Sequence, residues 1–276
     1  MRAQKTSVHL LCGSARERTD MRLDVYLQST GMAKSRTRAR EYIESGFVTV
    51  NGKTARKPSE DVCDTDDVTV DIPADEYVGR GAKKLEGALD TFGVDPMGLK
   101  CIDVGASTGG FTEVLLRRGA EFVCAVDSGH GQLDHTLARD PRVRNAEGIN
   151  ARYMTSAEVG EGYSLAVMDV SFISQTYIHP ALFSLMEEEA ELITLVKPQF
   201  ELDARSVGKG VVTKPENRYK ALLRVYESVL IYGFHVSDAI LSPIKGGDGN
   251  TEYLFLVRRG EEDCAMREKL KLLSKQ

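Results

Sequence analysis

Residues 101–127 read Cys-Ile-Asp-Val-Gly-Ala-Ser-Thr-Gly-Gly-Phe-Thr-Glu-Val-Leu-Leu-Arg-Arg-Gly-Ala-Glu-Phe-Val-Cys-Ala-Val-Asp, and this stretch decides the fold class. It opens with a buried strand that ends at Gly105. A small-residue loop follows, then a helix over Phe111–Arg118, then a second apolar run, Phe122–Val126, closed by Asp127. Strand, loop, helix, strand is the repeating unit of a parallel sheet, whose ligands bind beyond the carboxyl ends of the strands. Glycines at 105, 109 and 110 would let a ligand lie against bare backbone. Asp127, 22 residues after Gly105, suits ribose hydroxyls, although a strand-end turn would also favour an aspartate there.

The loop spacing is D-x-G-x-x-x-G-G rather than G-x-G-x-x-G, so the tight pyrophosphate turn of dinucleotide folds is not expected. Asp103 stands beside it. A cofactor with a ribose, no phosphate and a positive sulfonium fits this loop, which points to S-adenosylmethionine. Working outward, strand-like runs recur at Leu165–Met168, Leu192–Val196, His235–Leu241 and Tyr253–Val257, the last suited to an antiparallel strand. The clearest helix spans Asn217–Tyr232, with Tyr219, Leu222, Leu223, Tyr226, Val229 and Leu230 at helical spacing and Gly233 as its stop. Charged residues mark the ends of these runs: Asp169, Lys197 and Glu252, with Lys84 at the domain entrance. Each alone reads as a surface charge; four of mixed sign at one mouth of a sheet suggest a site.

Residues 21–78 read differently. A short helix beginning near Arg22 and a second over Arg36–Ser45, capped by Ser35 and stopped by Gly46, precede the strand Phe47–Val50. Asn51-Gly52 signals a hairpin, and Val68–Ile72 alternates as a strand. The expectation is a compact α+β module. Net charge is −5 over 276 residues, which by itself disfavours a nucleic-acid partner, but the distribution is uneven. Arg22–Lys57 holds eight Lys/Arg against three acids, whereas Glu60–Glu76 holds eight acids and no base. Lys34, Arg36, Arg38 and Arg40 cluster at a helix start, where free backbone N–H groups also favour phosphate.

The length allows one large and one small domain. We expect a mobile extension over 1–20, domains over 21–78 and 79–262, and a tail over 263–276. The five cysteines include no C-x-x-C pair, and Cys101 and Cys124 fall inside strand-like runs, as reduced buried thiols of a cytoplasmic protein would. No apolar run approaches a membrane span, and no His/Cys cluster has metal-ligand spacing. His130, His135, His179 and His235 are expected to be structural.

Taken together, these motifs closely resemble the TlyA (hemolysin A-like) family of ribosomal RNA 2′-O-methyltransferases, and more distantly the FtsJ-like fold. The resemblance runs from about residue 21 to 258. Its N-terminal part is similar to the S4 RNA-binding domain, and RGAKKL, DVGASTGGFTEVLL, GHGQL, MDVSFIS, LVKPQFE, GKGVV and NTEYLF carry the rest. It implies a Rossmann-like S-adenosylmethionine-dependent methyltransferase sheet, α/β in class, with a small N-terminal α+β S4-like domain. It also implies a K-D-K-E catalytic tetrad on Lys84, Asp169, Lys197 and Glu252. Donor contacts would come from Asp103, Gly105, Ala106, Ser107, Gly109, Gly110, Phe111, Asp127 and Asp169. Arg22, Lys34, Arg36 and Lys57 would face RNA, the partner being ribosomal RNA or ribosomal subunits. The family's RGAHK reads RGAKK here, which leaves Lys83 as a rival to Lys84. The expected reaction is methyl transfer to a ribose 2′-hydroxyl, a cytidine's, with Lys197 at the hydroxyl and no metal. The competing expectation is a non-catalytic ribosome-assembly factor that keeps only the basic module.

Overall fold

The computed structural model describes residues 20–73, 76–208, 210–246 and 249–276; the expected extension, apart from Asp20, lies outside the described residues. The chain divides into two units between Glu76 and Tyr77.

In the first unit, β1 (Met21–Arg22), α1 (Leu23–Ser29), α2 (Arg36–Ser45), β2 (Val48–Val50), β3 (Lys53–Thr54), β4 (Asp61–Val62) and β5 (Val68–Val70) follow in order. The Ser35 side chain accepts from the Arg38 N–H at 3.2 Å, and Gly46 ends α2 in the left-handed region at φ 81°. Asn51 (φ 50°) and Gly52 (φ 76°) both take positive φ, as a two-residue turn between β2 and β3 requires. Leu23, Leu27, Ala39, Ile43, Val48 and Val68 form the core. The β1–β4 pair was not anticipated; two residues each are too few to show alternation.

The second unit contains α3 (Ala82–Phe92), β6 (Lys100–Val104), α4 (Gly110–Arg117), β7 (Phe122–Asp127), β8 (Val143–Glu147), α5 (Ser156–Val159) and β9 (Tyr163–Met168). It continues with α6 (His179–Leu185), β10 (Met186–Val196), α7 (Pro198–Glu201), α8 (Ala204–Val207), α9 (Pro215–Leu230), β11 (Phe234–Leu241), β12 (Tyr253–Arg259) and α10 (Cys264–Leu273). The sheet order is β11-β12-β10-β9-β6-β7-β8. The run from β10 to β8 is parallel, and β12 lies antiparallel to both its neighbours. The strands are apolar on both faces because helices cover both. Ile102, Val104, Cys124 and Val126 pack with Leu222, Val225 and Tyr226 of α9, while Cys101, Val123 and Ala125 pack with Leu85 and Leu115 of α3 and α4. Cys101 and Cys124 are buried free thiols.

Two elements depart from the sequence reading. β8 reads Val-Arg-Asn-Ala-Glu and buries only Ala146, because it is an edge strand with little apolar content to signal it. The stretch expected as a tail forms α10, capped by the Asp263 side chain, with Met266 and Leu270 buried one turn apart. The first half of β10, Glu187-Glu188-Glu189, is exposed and acidic, so only its apolar end was visible in the sequence.

Candidate active site

Strand order places the site. The chain runs from β6 outward to β7 and β8, then returns to β9 on the other side of β6, so the crevice between the carboxyl ends of β6 and β9 is a topological switch point. Gly105 leaves β6 there at φ 86° and Asp169 leaves β9; the Asp169 N–H donates to the Val104 carbonyl at 3.0 Å. A Cβ on Gly105 would run into the Asp169 carbonyl oxygen. Glycine at 105 is therefore demanded by the end of β9 lying against the loop, not only by the needs of a ligand. At Gly110 the close neighbours are the Gly79 carbonyl and the Ala82 nitrogen, both at 3.2 Å from where a Cβ would stand.

The remaining loop positions divide. Ser107 is exposed with φ 49°, and its N–H donates to Asp127 Oδ2 at 2.8 Å; the Gly129 N–H donates to Asp127 Oδ1 at 2.8 Å. Each carboxylate oxygen keeps a lone pair for a further donor. Ala106 is buried, and Phe111 sits in the apolar core with Ala82 and Leu85, so its ring is packing material. Asp103 is wholly buried. Its Oδ2 accepts from the Thr112 hydroxyl at 2.7 Å, whereas Oδ1 has no hydrogen-bond partner among the described residues. Burial first, then the negative charges of Asp169 and Asp127, push its carboxyl up to about 7. Three carboxylates thus act on one crevice, and a cationic ligand would relieve them.

The four charged residues assigned from the resemblance come together as two ion pairs. Lys84, in the first turn of α3, donates to Glu252 Oε2 at 2.6 Å, and both side chains are buried. Lys83, the rival lysine, is exposed. Lys197 pairs with Asp169 and donates to the Ser171 hydroxyl at 2.8 Å. The register Val196↔Tyr253 sets Glu252 across from Lys197 where β10 and β12 end and begin, and Gly81 of the α3 start approaches the Asp169 carboxylate. Ser171, Thr112 and Glu201 were missed as functional candidates. Glu201 accepts from the Ser174 hydroxyl (2.5 Å) and the Gln175 N–H (3.1 Å), tying the segment after Asp169 to the one after Lys197. All three stood inside quoted motifs, which was the available signal. Phe172, 92% exposed at φ 65°, leans on Phe200 at 5.1 Å between centroids. No group of His, Cys, Asp and Glu suited to a metal occurs among the described residues.

In the first unit, Arg22, Arg36 and Arg40 converge on Asp24 at 3.0, 3.2 and 3.1 Å. The Asp24 side chain is fully buried while the three arginines stay about half exposed. Arg22 above all, with Arg40 and Arg36, holds that carboxyl far below the usual range. Lys57 is exposed and adjoins Pro58, whose carbonyl accepts the Asp24 N–H at 3.0 Å. Lys34 is exposed just before the Ser35 cap. Arg40 joins the cluster although it was not among the four expected contacts.

A seven-stranded sheet with one antiparallel strand, a glycine loop at its switch point and a separate α+β unit with an arginine cluster around α2 define an S-adenosylmethionine-dependent methyltransferase fold joined to an S4 domain. The FtsJ-like methyltransferase family profile matches residues 77–259 and the S4 domain profile residues 21–68. The 16S/23S rRNA (cytidine-2′-O)-methyltransferase TlyA of Mycobacterium tuberculosis is 44% identical over 90% of this chain and 93% of its own length. Hemolysin A of Brachyspira hyodysenteriae is 40% identical over 85% of this chain and 98% of its own. A solved structure described as a hemolysin from Streptococcus thermophilus superposes with a TM-score of 0.75 at 37% identity, covering 93% of this chain and 95% of that one. The chain belongs to the TlyA (hemolysin A-like) family of FtsJ-like methyltransferases.

Proposed function

We propose that the protein transfers a methyl group from S-adenosylmethionine to a ribose 2′-hydroxyl of ribosomal RNA, a cytidine's, as the name of the Mycobacterium tuberculosis relative states for that protein. The observation that carries the reading is that the Lys197–Asp169 pair lies at the carboxyl ends of β9 and β10, beside the glycine loop, with Glu252 of the Lys84–Glu252 pair across from Lys197. The donor fits the chemistry of the crevice: the carboxylates of Asp103, Asp127 and Asp169 suit a cationic ligand with ribose hydroxyls. When bound, it supplies a methyl group on sulfonium for in-line transfer to oxygen.

Lysine carries three N–H donors. Ser171 accepts one of those on Lys197 and the Asp169 carboxylate lies against Nζ as its counter-charge, which orients that nitrogen toward the attacking 2′-hydroxyl. As the oxygen bonds the methyl carbon and the carbon–sulfur bond breaks, the Lys197 amine takes the hydroxyl proton at Nζ and ends as the ammonium that Asp169 pairs. Lys84, held by Glu252, supplies a second buried positive charge for the ribose or its adjacent phosphate. A positioned group of this kind contributes roughly 10²–10⁴-fold, with alignment of the reactants contributing further. Arg22, Lys34, Arg36 and Lys57 of the first unit grip the RNA backbone. No helix among the described residues is long and apolar enough to cross a membrane.

The test is incubation with labelled donor and separated ribosomal subunits, followed by mapping of the modified nucleotide. Wild type labels a 2′-O position, and Lys197→Ala loses at least about 100-fold in rate while still binding donor and RNA. Undiminished turnover by Lys197→Ala would refute the assignment of that lysine. Donor and RNA binding without any transfer by wild type would favour an assembly factor.

A further inference from the structure

Aromatic side chains of a folded domain bury most of their surface. Among the described residues of the second unit, Tyr153 and Phe172 instead expose 65% and 92%, and Tyr177 nearly half, 47%. A groove of about 600 Å³, within the size range of ligand sites, runs from Phe172 and Phe200 to Tyr177 and Arg224. Through Phe172 and Phe200 it adjoins the Lys197–Ser171 contact. At its edge, the exposed Arg152 guanidinium lies over two rings at once, 4.7 Å from the Tyr177 centroid and 5.3 Å from that of Tyr153. No carboxylate among the described residues pairs with Arg152. Arg224, also exposed, lines the same groove, against one lining carboxylate, Asp203.

We infer that Tyr153, Arg152 and Tyr177 form a stacking platform for the unpaired nucleotides that flank the modified ribose. Three features argue for single-stranded RNA as the occupant. Flat rings left in solvent offer π-faces that any base can cover. A guanidinium interleaved between rings adds stacking and cation–π attraction, and it stays free to meet a phosphate. The groove balance is positive, and its open course continues from the reacting lysine, as a strand threading through the site requires. A buried aromatic cluster serving only stability would have no reason to leave these rings exposed. The platform deepens the proposed reaction and rests on it: the acceptor must be drawn out of base pairing, and its neighbours then need new stacking partners.

The experiment uses the full chain and ribosomal RNA carrying 4-thiouridine, with steady-state methylation measured in parallel. Near-ultraviolet irradiation of wild type should give crosslinks on the peptides that hold Tyr153 and Tyr177. Tyr153→Ala and Tyr177→Ala should each raise KM for RNA by about fivefold or more, the loss expected for one base–aromatic stack. The effect falls on KM rather than kcat, since stacking is equal in ground and transition states. Phe at either position keeps the ring face and should restore most of the affinity, which a role for the hydroxyl would not allow. Donor binding by each variant reports that the sheet is intact. Methylation by wild type with unchanged KM in both alanine variants overturns the platform alone. Absence of methyl transfer by wild type overturns the proposed reaction, and the crosslinks then decide the platform by themselves.

Discussion

Asp103 provides the sharpest test of how the crevice holds its donor. Its carboxyl, pushed up to about 7 by burial and by Asp169 and Asp127, is half protonated near neutral pH in the free protein. A cationic donor favours the ionised form, so binding should expel that proton. If the carboxylate is fully ionised in the complex, affinity scales with the ionised fraction of the free protein, about 0.1 at pH 6 and about 0.9 at pH 8. Donor affinity should therefore rise up to about tenfold between those values, with about half a proton released at pH 7. The nearby Cys101 thiol, raised to about 12 by burial, is silent in this window. The stability sign runs the other way. A raised carboxyl stabilises the fold below about pH 4 and loses that contribution as pH rises through about 7, a cost near 4 kcal/mol once ionised. Asp103→Asn keeps an acceptor for Thr112 but cannot ionise. It should raise the melting temperature of the free protein at pH 8 while weakening donor binding there, and flatten the pH slope. Calorimetric titration at pH 6, 7 and 8 in two buffers of different ionisation enthalpy measures affinity and proton count together. A wild-type affinity that is level across this range, or a slope shared with Asp103→Asn, would refute the reasoning.

Lys84→Ala strands Glu252 as a buried charge and should cost about 3–5 kcal/mol in urea unfolding, whereas Lys83→Ala on the surface should stay within about 0.5 kcal/mol. Equal effects would leave the two lysines undistinguished. Gly105→Ala forces a side chain into the Asp169 carbonyl at positive φ; it should lose at least about 1–3 kcal/mol and donor binding with it, read by the same unfolding and by calorimetry. Arg36→Ala should lower the slope of log affinity for RNA against log salt by about one, as one phosphate contact is lost. Because its arginines depress the Asp24 carboxyl, their stabilisation is present above about pH 4 and fades as pH falls further; Asp24→Asn should remove that part of the acid dependence of the first unit, followed by circular dichroism.

Both the fold class and the crevice were legible because their signals are local. Apolar runs that end in glycine or aspartate locate the strands, and the loop between Gly105 and Phe111 sits within one βαβ unit. Local reading gave one reason for Gly105 where there are two. Besides leaving room for a ligand, a glycine there clears a backbone carbonyl 64 residues further on, which no local pattern encodes. The edge strand β8 and the docked helix α10 were lost for opposite causes: one has too little apolar content, and the other hides a short apolar spacing in a charged segment.

The pairing inside the proposed tetrad was beyond local reading altogether. Lys84 and Glu252 are 168 residues apart, and nothing in their flanks says that they touch. They meet because β12 inserts antiparallel between β10 and β11, which turns the start of β12 toward the end of β10 and so brings Glu252 level with Lys197. A parallel last strand would carry the same residue to the opposite end of the strands, about 3.3 Å further for every residue of its length. The antiparallel insertion is thus a condition of the proposed chemistry: it delivers a carboxylate from the N-terminal end of a strand to a mouth otherwise built from C-terminal ends. Buried lysines need such partners, because an unpaired ammonium at this depth would be driven to neutrality or to unfolding. The strand order therefore does for the second lysine what Asp169, on its own adjacent strand, does for the first.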